Sequence, residues 1–325
     1  MRTARVGTAA LVIAAAVGAL LASSADAAIR VGGPTRHATI ATVRAPGNVV
    51  SDGERYVAFT AEPGQAVALF DSLRRRRSTT QTTCPPVAGV SGVFLTGCNR
   101  LLDPRTRRTR PVRGARASDN LYQLGTHWVA GEVRGSNCDA PRSPIDCTIY
   151  VAINWRTGER HECSDRDDTV PCPDYGWDLN ARTFRAWRHD RTGIVGAAGR
   201  YLLEDGGGSG LFLAGGPKRV TLSTQECCTV SLNPMISIPY VTWTERVRHG
   251  PVTVFGYDIA TRQRWGWAVR GAPRPVGLIN GDRIRAWHTR YGVVVQVLTR
   301  FKQDYRNREA TALTFRLFFA PWPAG

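Results

Sequence analysis

The nine residues SDGERYVAF, Ser51–Phe59, decide the fold, because they are the first copy of a pattern that the chain repeats. A Ser-Asp-Gly turn leads into β-branched and aromatic residues in roughly period-two alternation, which indicates a short β-strand. No window sustains the spacing of a buried helix face, so we predict an all-β fold. Similar runs follow at intervals of about 35 to 57 residues: SGVFL (Ser91–Leu95), THWVAG (Thr126–Gly131), TFRAW (Thr183–Trp187), PYVTW (Pro239–Trp243) and RIRAW (Arg283–Trp287). A further run, RYLLE (Arg200–Glu204), comes only 17 residues after TFRAW.

A second element, an apolar strand followed by a polar turn and another strand, comes after most copies. Each turn begins with a side chain that can cap its own backbone two residues on. These residues are Asp71, Asp103, Asn154 and Asp258. A strand-only unit that recurs in this way is typical of propeller blades, since one small sheet cannot bury both of its faces alone.

We therefore predict a β-propeller, with two packed sheets as the alternative. We predict six blades, with TFRAW and RYLLE in one blade; the alternative is seven blades, with the two runs in separate blades. The final strand, within Ala312–Trp322, is expected to pair with an N-terminal strand near Ala38–Val43. This pairing closes the ring and protects the strand edges.

SDGERYVAF resembles the Ser-Pro-Asp-Gly element of TolB-like or WD40-like propeller repeats, although it lacks the proline. NGDRIRAW (Asn280–Trp287) is a weaker second copy, and YDIATRQ (Tyr257–Gln263) resembles the hairpin turns of the same families. The resemblance implies a propeller fold. Propellers of this type serve as docking platforms, and some carry enzymes.

Residues 1–27 have the organisation of a secretory signal peptide. A segment with two arginines precedes 15 apolar residues, Thr8–Ala22, and Ala25-Asp26-Ala27 fits the small-x-small cleavage pattern. An uncleaved membrane anchor is the alternative, but the apolar stretch is shorter than the roughly 20 residues of a span. We expect residues 28–325 to form one secreted or envelope-located propeller domain that spans no membrane after cleavage and is monomeric.

The chain is strongly basic, with 43 Lys and Arg against 26 Asp and Glu, a formal net charge of +17. Removal of Arg2, Arg5 and Asp26 with the signal peptide leaves 17 − 2 + 1 = +16. Such a charge favours anionic partners. Two arginine runs stand at equivalent predicted hairpins of neighbouring blades and are expected to form one polyanion-binding rim, with solvated hairpin tips as the alternative. The candidate residues are Arg74, Arg75, Arg76, Arg77, Arg105, Arg107, Arg108 and Arg110.

An even number of cysteines in an exported chain indicates disulfide bonds. The eight are Cys84, Cys98, Cys138, Cys147, Cys163, Cys172, Cys227 and Cys228. Proximity along the chain favours the pairs Cys84–Cys98, Cys138–Cys147 and Cys163–Cys172. Cys227 and Cys228 are left, either bonded to each other or divided between other partners. No C-x-x-C spacing is present, so we expect no zinc site.

No hydrolase elbow, phosphate-binding loop, zinc-protease motif or calcium loop occurs in the sequence. The candidate catalytic residues are Asp178, His189, Glu245 and His288. His189 and His288 follow similar strands, where they either face the central funnel or lie in surface loops. The acidic stretch HECSDRDD (161–168) is interrupted by an arginine and matches no calcium loop, so we expect no metal and no cofactor.

The sequence favours a non-catalytic binding platform over an enzyme. Its partner would be another protein or an anionic polysaccharide or wall polymer. A dedicated nucleic-acid role is disfavoured, because the basic stretches lack interleaved aromatic residues that stack on bases. The alternative is a carbohydrate-active hydrolase or lyase whose site lies in the central funnel, which requires the candidate catalytic side chains to converge.

Overall fold

The computed structural model describes residues 38–44, 48–134, 148–164, 177–184, 193–198, 201–205, 210–223, 234–237, 239–246, 252–269, 284–304 and 309–322. Residues 1–27, which are predicted to be a signal peptide, and His189 lie outside these residues. The described strands, in chain order, are β1 (Ala38–Arg44), β2 (Val49–Ser51), β3 (Tyr56–Phe59), β4 (Ala68–Asp71), β5 (Arg76–Thr79), β6 (Pro86–Val90), β7 (Val93–Thr96), β8 (Arg100–Asp103), β9 (Arg108–Pro111), β10 (Asp119–Leu124), β11 (Trp128–Val133), β12 (Ile149–Asn154), β13 (Arg160–Ser164), β14 (Gly193–Ala198), β15 (Tyr201–Asp205), β16 (Leu211–Ala214), β17 (Val220–Ser223), β18 (Met235–Ser237), β19 (Tyr240–Arg246), β20 (Val252–Asp258), β21 (Arg264–Val269), β22 (Ile284–Thr289), β23 (Gly292–Asp304) and β24 (Glu309–Pro321).

Within the described residues these strands form six four-stranded antiparallel sheets, the blades of a β-propeller. Blades one to five each use four consecutive strands, from β2–β5 to β18–β21. The sixth blade has the order β22-β23-β24-β1, so its outermost strand comes from the N-terminal part of the chain. In the closing pair, Ala38 lies opposite Phe319 and Val43 opposite Phe315. The predicted six blades and the predicted ring closure are therefore confirmed.

The apolar core lies between neighbouring blades. In β3, Val57 and Phe59 pack toward the sixth blade, whereas Tyr56 and Ala58 pack toward the second. All four residues are buried, because alternate side chains of a strand point to opposite faces and both faces of this sheet are covered. Burial of a side chain such as Phe59 contributes about 1.5–3 kcal/mol. Both faces of blade one are therefore covered at its second strand, which is a continuous apolar run.

Asp52 organises the turn between the first two strands of blade one. Its Oδ1 atom accepts the backbone N–H groups of Glu54 (2.9 Å), Arg55 (2.8 Å) and Tyr56 (2.9 Å). The residue is only 2% exposed, and its Oδ2 atom has no hydrogen-bond partner among the described residues. The Ser-Asp-Gly turn is thus a buried junction.

The same turn connects three blades. The carbonyl oxygen of Asp52 accepts the N–H group of Ser91 in the second blade at 2.9 Å. The hydroxyl group of Ser51 donates to the carbonyl oxygen of His288 in the sixth blade at 2.5 Å. These bonds explain why this copy of the repeat carries polar residues just before its apolar strand.

The predicted polar turns join the third and fourth strands of four blades. In each, the first side chain accepts the N–H groups of the residues two and three positions later, at 2.8–3.4 Å. The capping residues are Asp71, Asp103, Asn154 and Asp258, as expected. Four positions after each cap the backbone is left-handed: Arg75 (φ 53°), Arg107 (61°), Gly158 (84°) and Arg262 (59°).

Two of the sequence matches do not occupy the position that the repeat pattern predicts. Ile284–Trp287 of RIRAW lie in β22, the innermost strand of blade six, whereas SDGERYVAF lies at the entry to a second strand. Trp287 is consequently not equivalent to Trp243 on β19, although both are buried in the core. Thr183 and Phe184 of TFRAW precede blade four and lie outside any strand. The second strand of blade four contains Tyr201–Glu204 of RYLLE.

The disulfide bond Cys84–Cys98 is present, as expected. It links the segment that enters blade two to the connection between β7 and β8. Cys163 is also disulfide-bonded. Its partner and the remaining cysteines lie outside the described residues, so their predicted pairing stays a prediction.

Candidate functional site

The antiparallel order of the strands divides the connections of each blade between two faces of the ring. We call the face with the first-to-second and third-to-fourth turns the turn face. The opposite face carries the second-to-third turns and the blade-to-blade connections, and we call it the crossover face. Both arginine runs lie at third-to-fourth hairpins, of blades one and two, and therefore at the turn face.

The eight candidate arginines form the arginine rim, defined as Arg74 to Arg77 with Arg105, Arg107, Arg108 and Arg110. All eight are exposed. Within the described part of the chain, none of them forms an ion pair with a carboxylate. Their hairpins are held by the Asp71 and Asp103 caps, so the charges stand on ordered turns.

Two rim arginines rest on aromatic rings. The guanidinium carbon of Arg77 lies 5.5 Å from the ring centroid of Phe59, and that of Arg110 lies 5.5 Å from the ring of Trp155 in blade three. Arg156, at the equivalent hairpin of blade three, lies 4.6 Å from the same Trp155 ring. The basic surface therefore continues onto a third blade. Arg156 is absent from the residues predicted from the sequence because it stands outside any arginine run.

Other arginines at the turn face have structural partners. Arg55 donates two hydrogen bonds to the carboxylate of Asp71, at 2.9 and 2.6 Å. Burial would raise the pKa of Asp71, but these bonds from Arg55 hold it below its ordinary value. This ion pair connects the two turns of blade one, and no rim arginine takes part in it.

The candidate catalytic residues that the structure describes are not brought together. His288 contacts Thr242 of β19, with 3.0 Å between Nδ1 and Oγ1. Glu245 accepts a hydrogen bond from the indole N–H of Trp243 at 2.6 Å, on the opposite face of the same strand. Asp178 accepts the N–H groups of Asn180 and Ala181 near blade three, as a turn cap.

His288 is completely buried between blades five and six. Burial lowers the pKa of its imidazole to about 4, so the ring is neutral at physiological pH. Its Nε2 atom has no hydrogen-bond partner among the described residues. Burial likewise raises the pKa of Asp52 to about 6, even though three backbone N–H groups favour its ionised form. Both groups belong to the packing between blades and do not line an open funnel.

No group of three or more metal-ligating side chains occurs among the described residues. Of the predicted acidic stretch, Glu162 is described, and it pairs with Arg160 and Arg116. Asp165, Asp167 and Asp168 lie outside the described residues. The described residues include no helix with the length and apolar character of a membrane span.

No family model and no curated protein matches the chain. Among solved structures, it is similar to the β-propeller domain of the Trilobed protease from Pyrococcus furiosus, with 12% identity over 84% of this chain and 95% of that one and a TM-score of 0.45. It is also similar to the Pyrococcus horikoshii acylaminoacyl peptidase, at 10% identity over 80% of this chain and 58% of that one, with a TM-score of 0.44. TolB from Acinetobacter baumannii shares 12% identity over 88% of this chain and 81% of that one, with a TM-score of 0.33. These similarities concern the fold alone.

Proposed function

We propose that this protein is an exported, non-catalytic binding platform whose arginine rim docks an anionic polymer of the cell envelope. The observation that carries the proposal is the set of eight exposed arginines on equivalent hairpins of adjacent blades, without a carboxylate partner in the described residues. Guanidinium groups bind phosphate, sulfate and carboxylate with paired hydrogen bonds. We also assign the repeats to the TolB-like class, on SDGERYVAF and YDIATRQ, which agrees with a docking role.

The left-handed hairpin positions support a role for charge beyond folding. Arg75, Arg107 and Arg262 adopt positive φ angles, a conformation that costs an L-residue roughly 1–2 kcal/mol. Gly158 fills the same position in blade three, so glycine is compatible with this hairpin. The chain therefore keeps arginine where glycine is the less strained choice.

The arrangement of ordered hairpins on successive blades favours an extended ligand over a small one. The caps hold the backbone of each turn through hydrogen bonds, so little backbone freedom is lost when the rim binds. A polymer with regularly spaced anions contacts successive blades at once, and linked contacts bind more tightly than single ones.

The test is retention on a heparin or teichoic-acid column of the mature protein and the rim variant Arg74→Ser/Arg76→Ser/Arg105→Ser/Arg108→Ser. These four side chains make no described contact that the fold requires, so the variant is expected to fold. We expect elution at clearly lower salt, and a salt dependence of binding that falls by roughly one counterion per contacting guanidinium lost.

The matched control replaces the same four residues with lysine, which restores the charge. It is expected to recover most of the retention, with any deficit reporting the paired hydrogen bonds that lysine cannot make. Elution of the serine variant at the wild-type salt concentration would refute the proposal.

A further inference from the structure

A pocket of about 420 Å³ lies between blades two and three at the crossover face, opposite the arginine rim. Its size falls in the range of small-molecule sites. Three arginines, one aspartate and several small apolar residues line it. The described lining residues belong to the segment 97–134.

The walls of the pocket are fixed to each other. Asn99, which lines it, donates from Nδ2 to the carbonyl oxygen of Asp119 at 2.6 Å and accepts the N–H group of Leu121 at 3.2 Å. One amide side chain thus bridges blade two and the innermost strand of blade three. The adjacent lining residue Cys98 is held by its disulfide bond to Cys84. The pocket is therefore formed before any ligand binds.

Asp119 is the only acidic residue among the described lining residues. Its charge is matched by a residue outside the pocket. Arg160, which does not line it, donates to both carboxylate oxygens at 2.8 and 2.9 Å. Burial would raise the pKa of Asp119, but the bonds from Arg160 and from the N–H group of Arg116 keep it below its ordinary value.

The lining arginines keep a positive charge for a ligand. Arg100 donates to oxygen atoms of Thr109, and Arg134 donates to the side-chain oxygen of Asn120 at 3.2 Å. These acceptors are neutral, so neither guanidinium is compensated by them. Arg116 pairs with Glu162 at 3.2 Å, and both side chains are solvent-accessible, so this bond is weak.

The described lining also has an apolar part along the blade-to-blade connection, formed by Pro111, Val112, Ala115 and Ala117. We propose that this pocket binds a small organic anion, with an oxyanion headgroup at the arginines and a compact apolar body against these residues. The site is independent of the arginine rim, because the two lie on opposite faces of the ring.

The experiment titrates the mature protein with phenyl phosphate, and with inorganic phosphate and benzyl alcohol as partial probes, using ligand-observed NMR and thermal shift. We expect saturable binding of phenyl phosphate with a Kd of about 0.1–10 mM. Inorganic phosphate binds more weakly, and benzyl alcohol does not saturate. In wild-type amide spectra, the largest shifts fall on Gly97, Ala115 and Ala117, which locates the site without any substitution.

Arg134→Gln removes a charge from the pocket and is expected to weaken phenyl phosphate binding roughly tenfold. The serine variant of the arginine rim is the control and binds as the wild type does. The proposal is overturned by the absence of saturable binding at 20 mM, by equal affinity for inorganic phosphate, or by a loss of binding in the rim variant that Arg134→Gln does not share.

Discussion

The buried pair Asp52 and His288 makes opposite contributions to the pH dependence of stability. The pKa of Asp52 rises from 3.8 to about 6 on folding, so the folded state binds its proton more tightly. The free energy of unfolding therefore falls as the pH rises between these values, by (6 − 3.8) × 1.36, or about 3 kcal/mol. The pKa of His288 falls from 6.5 to about 4, so stability rises over nearly the same interval, also by about 3 kcal/mol.

Replacement of either residue removes its own contribution to the pH dependence of stability, so the contribution of the other residue can be measured. Asp52→Asn keeps an oxygen for the three N–H groups, as Asn154 does in its own turn. We expect this variant to lose about 3 kcal/mol more stability than the wild type when the pH falls from 6.5 to 4. His288→Asn keeps a polar group near Thr242 and is expected to show the reverse trend.

Urea unfolding, followed by tryptophan fluorescence at four pH values between 4 and 7, measures these free energies. The quantity to compare is the difference between variant and wild type at each pH, because exposed carboxylates contribute equally to both. The loss of unfolding free energy that a substitution causes at every pH drops out when these differences are compared between pH values. Parallel pH profiles for wild type and Asp52→Asn would show that the Asp52 carboxylate is not desolvated in the way described.

Three further predictions concern the stability of the propeller. Arg75→Gly relieves a left-handed backbone and is expected to raise the free energy of unfolding, measured by urea titration, by about 0.5–1 kcal/mol. Arg262→Gly in blade five, away from the rim, is expected to do the same, and a loss of stability in both variants would contradict backbone strain at these positions. Gly89→Ala places a Cβ atom 2.5 Å from the carbonyl oxygen of Ser51, so thermal unfolding should report a loss of about 1–3 kcal/mol, and an unchanged midpoint would mean that blades one and two separate easily. The double serine variant of the Cys84–Cys98 bond, with a sequence separation of 14, should lose about 3 kcal/mol, whereas alkylation of either thiol in the unreduced wild type would contradict the bond itself.

The second and third strands of the blades could be predicted from the sequence because their side chains are buried on both sides. Runs such as YVAF and ALFD are apolar because nearly all of their consecutive side chains are buried. The Asp71 and Asp103 caps act on their own backbone, and the left-handed residue follows at a constant distance. These local causes leave a pattern that a single sequence displays.

The innermost strands and the pairs between blades leave no such pattern. β2 has three residues, and its neighbours are set by contacts with blades two and six. RIRAW resembles a second strand in composition, yet it forms β22, because composition does not distinguish two buried strands of one sheet. The pocket depends on Asn99 reaching Leu121 in the next blade, and no local spacing encodes that contact.

The pairing of β1 with β24 has a consequence for the order of events during synthesis. The strand that leaves the ribosome before all other described strands is hydrogen-bonded in the finished molecule to the one that leaves last. Its permanent neighbour does not exist until nearly the whole chain has been delivered, so β1 waits unpaired while the intervening blades assemble. Such distant pairing slows the final step of folding and prolongs the time in which a chaperone or protease can capture the chain.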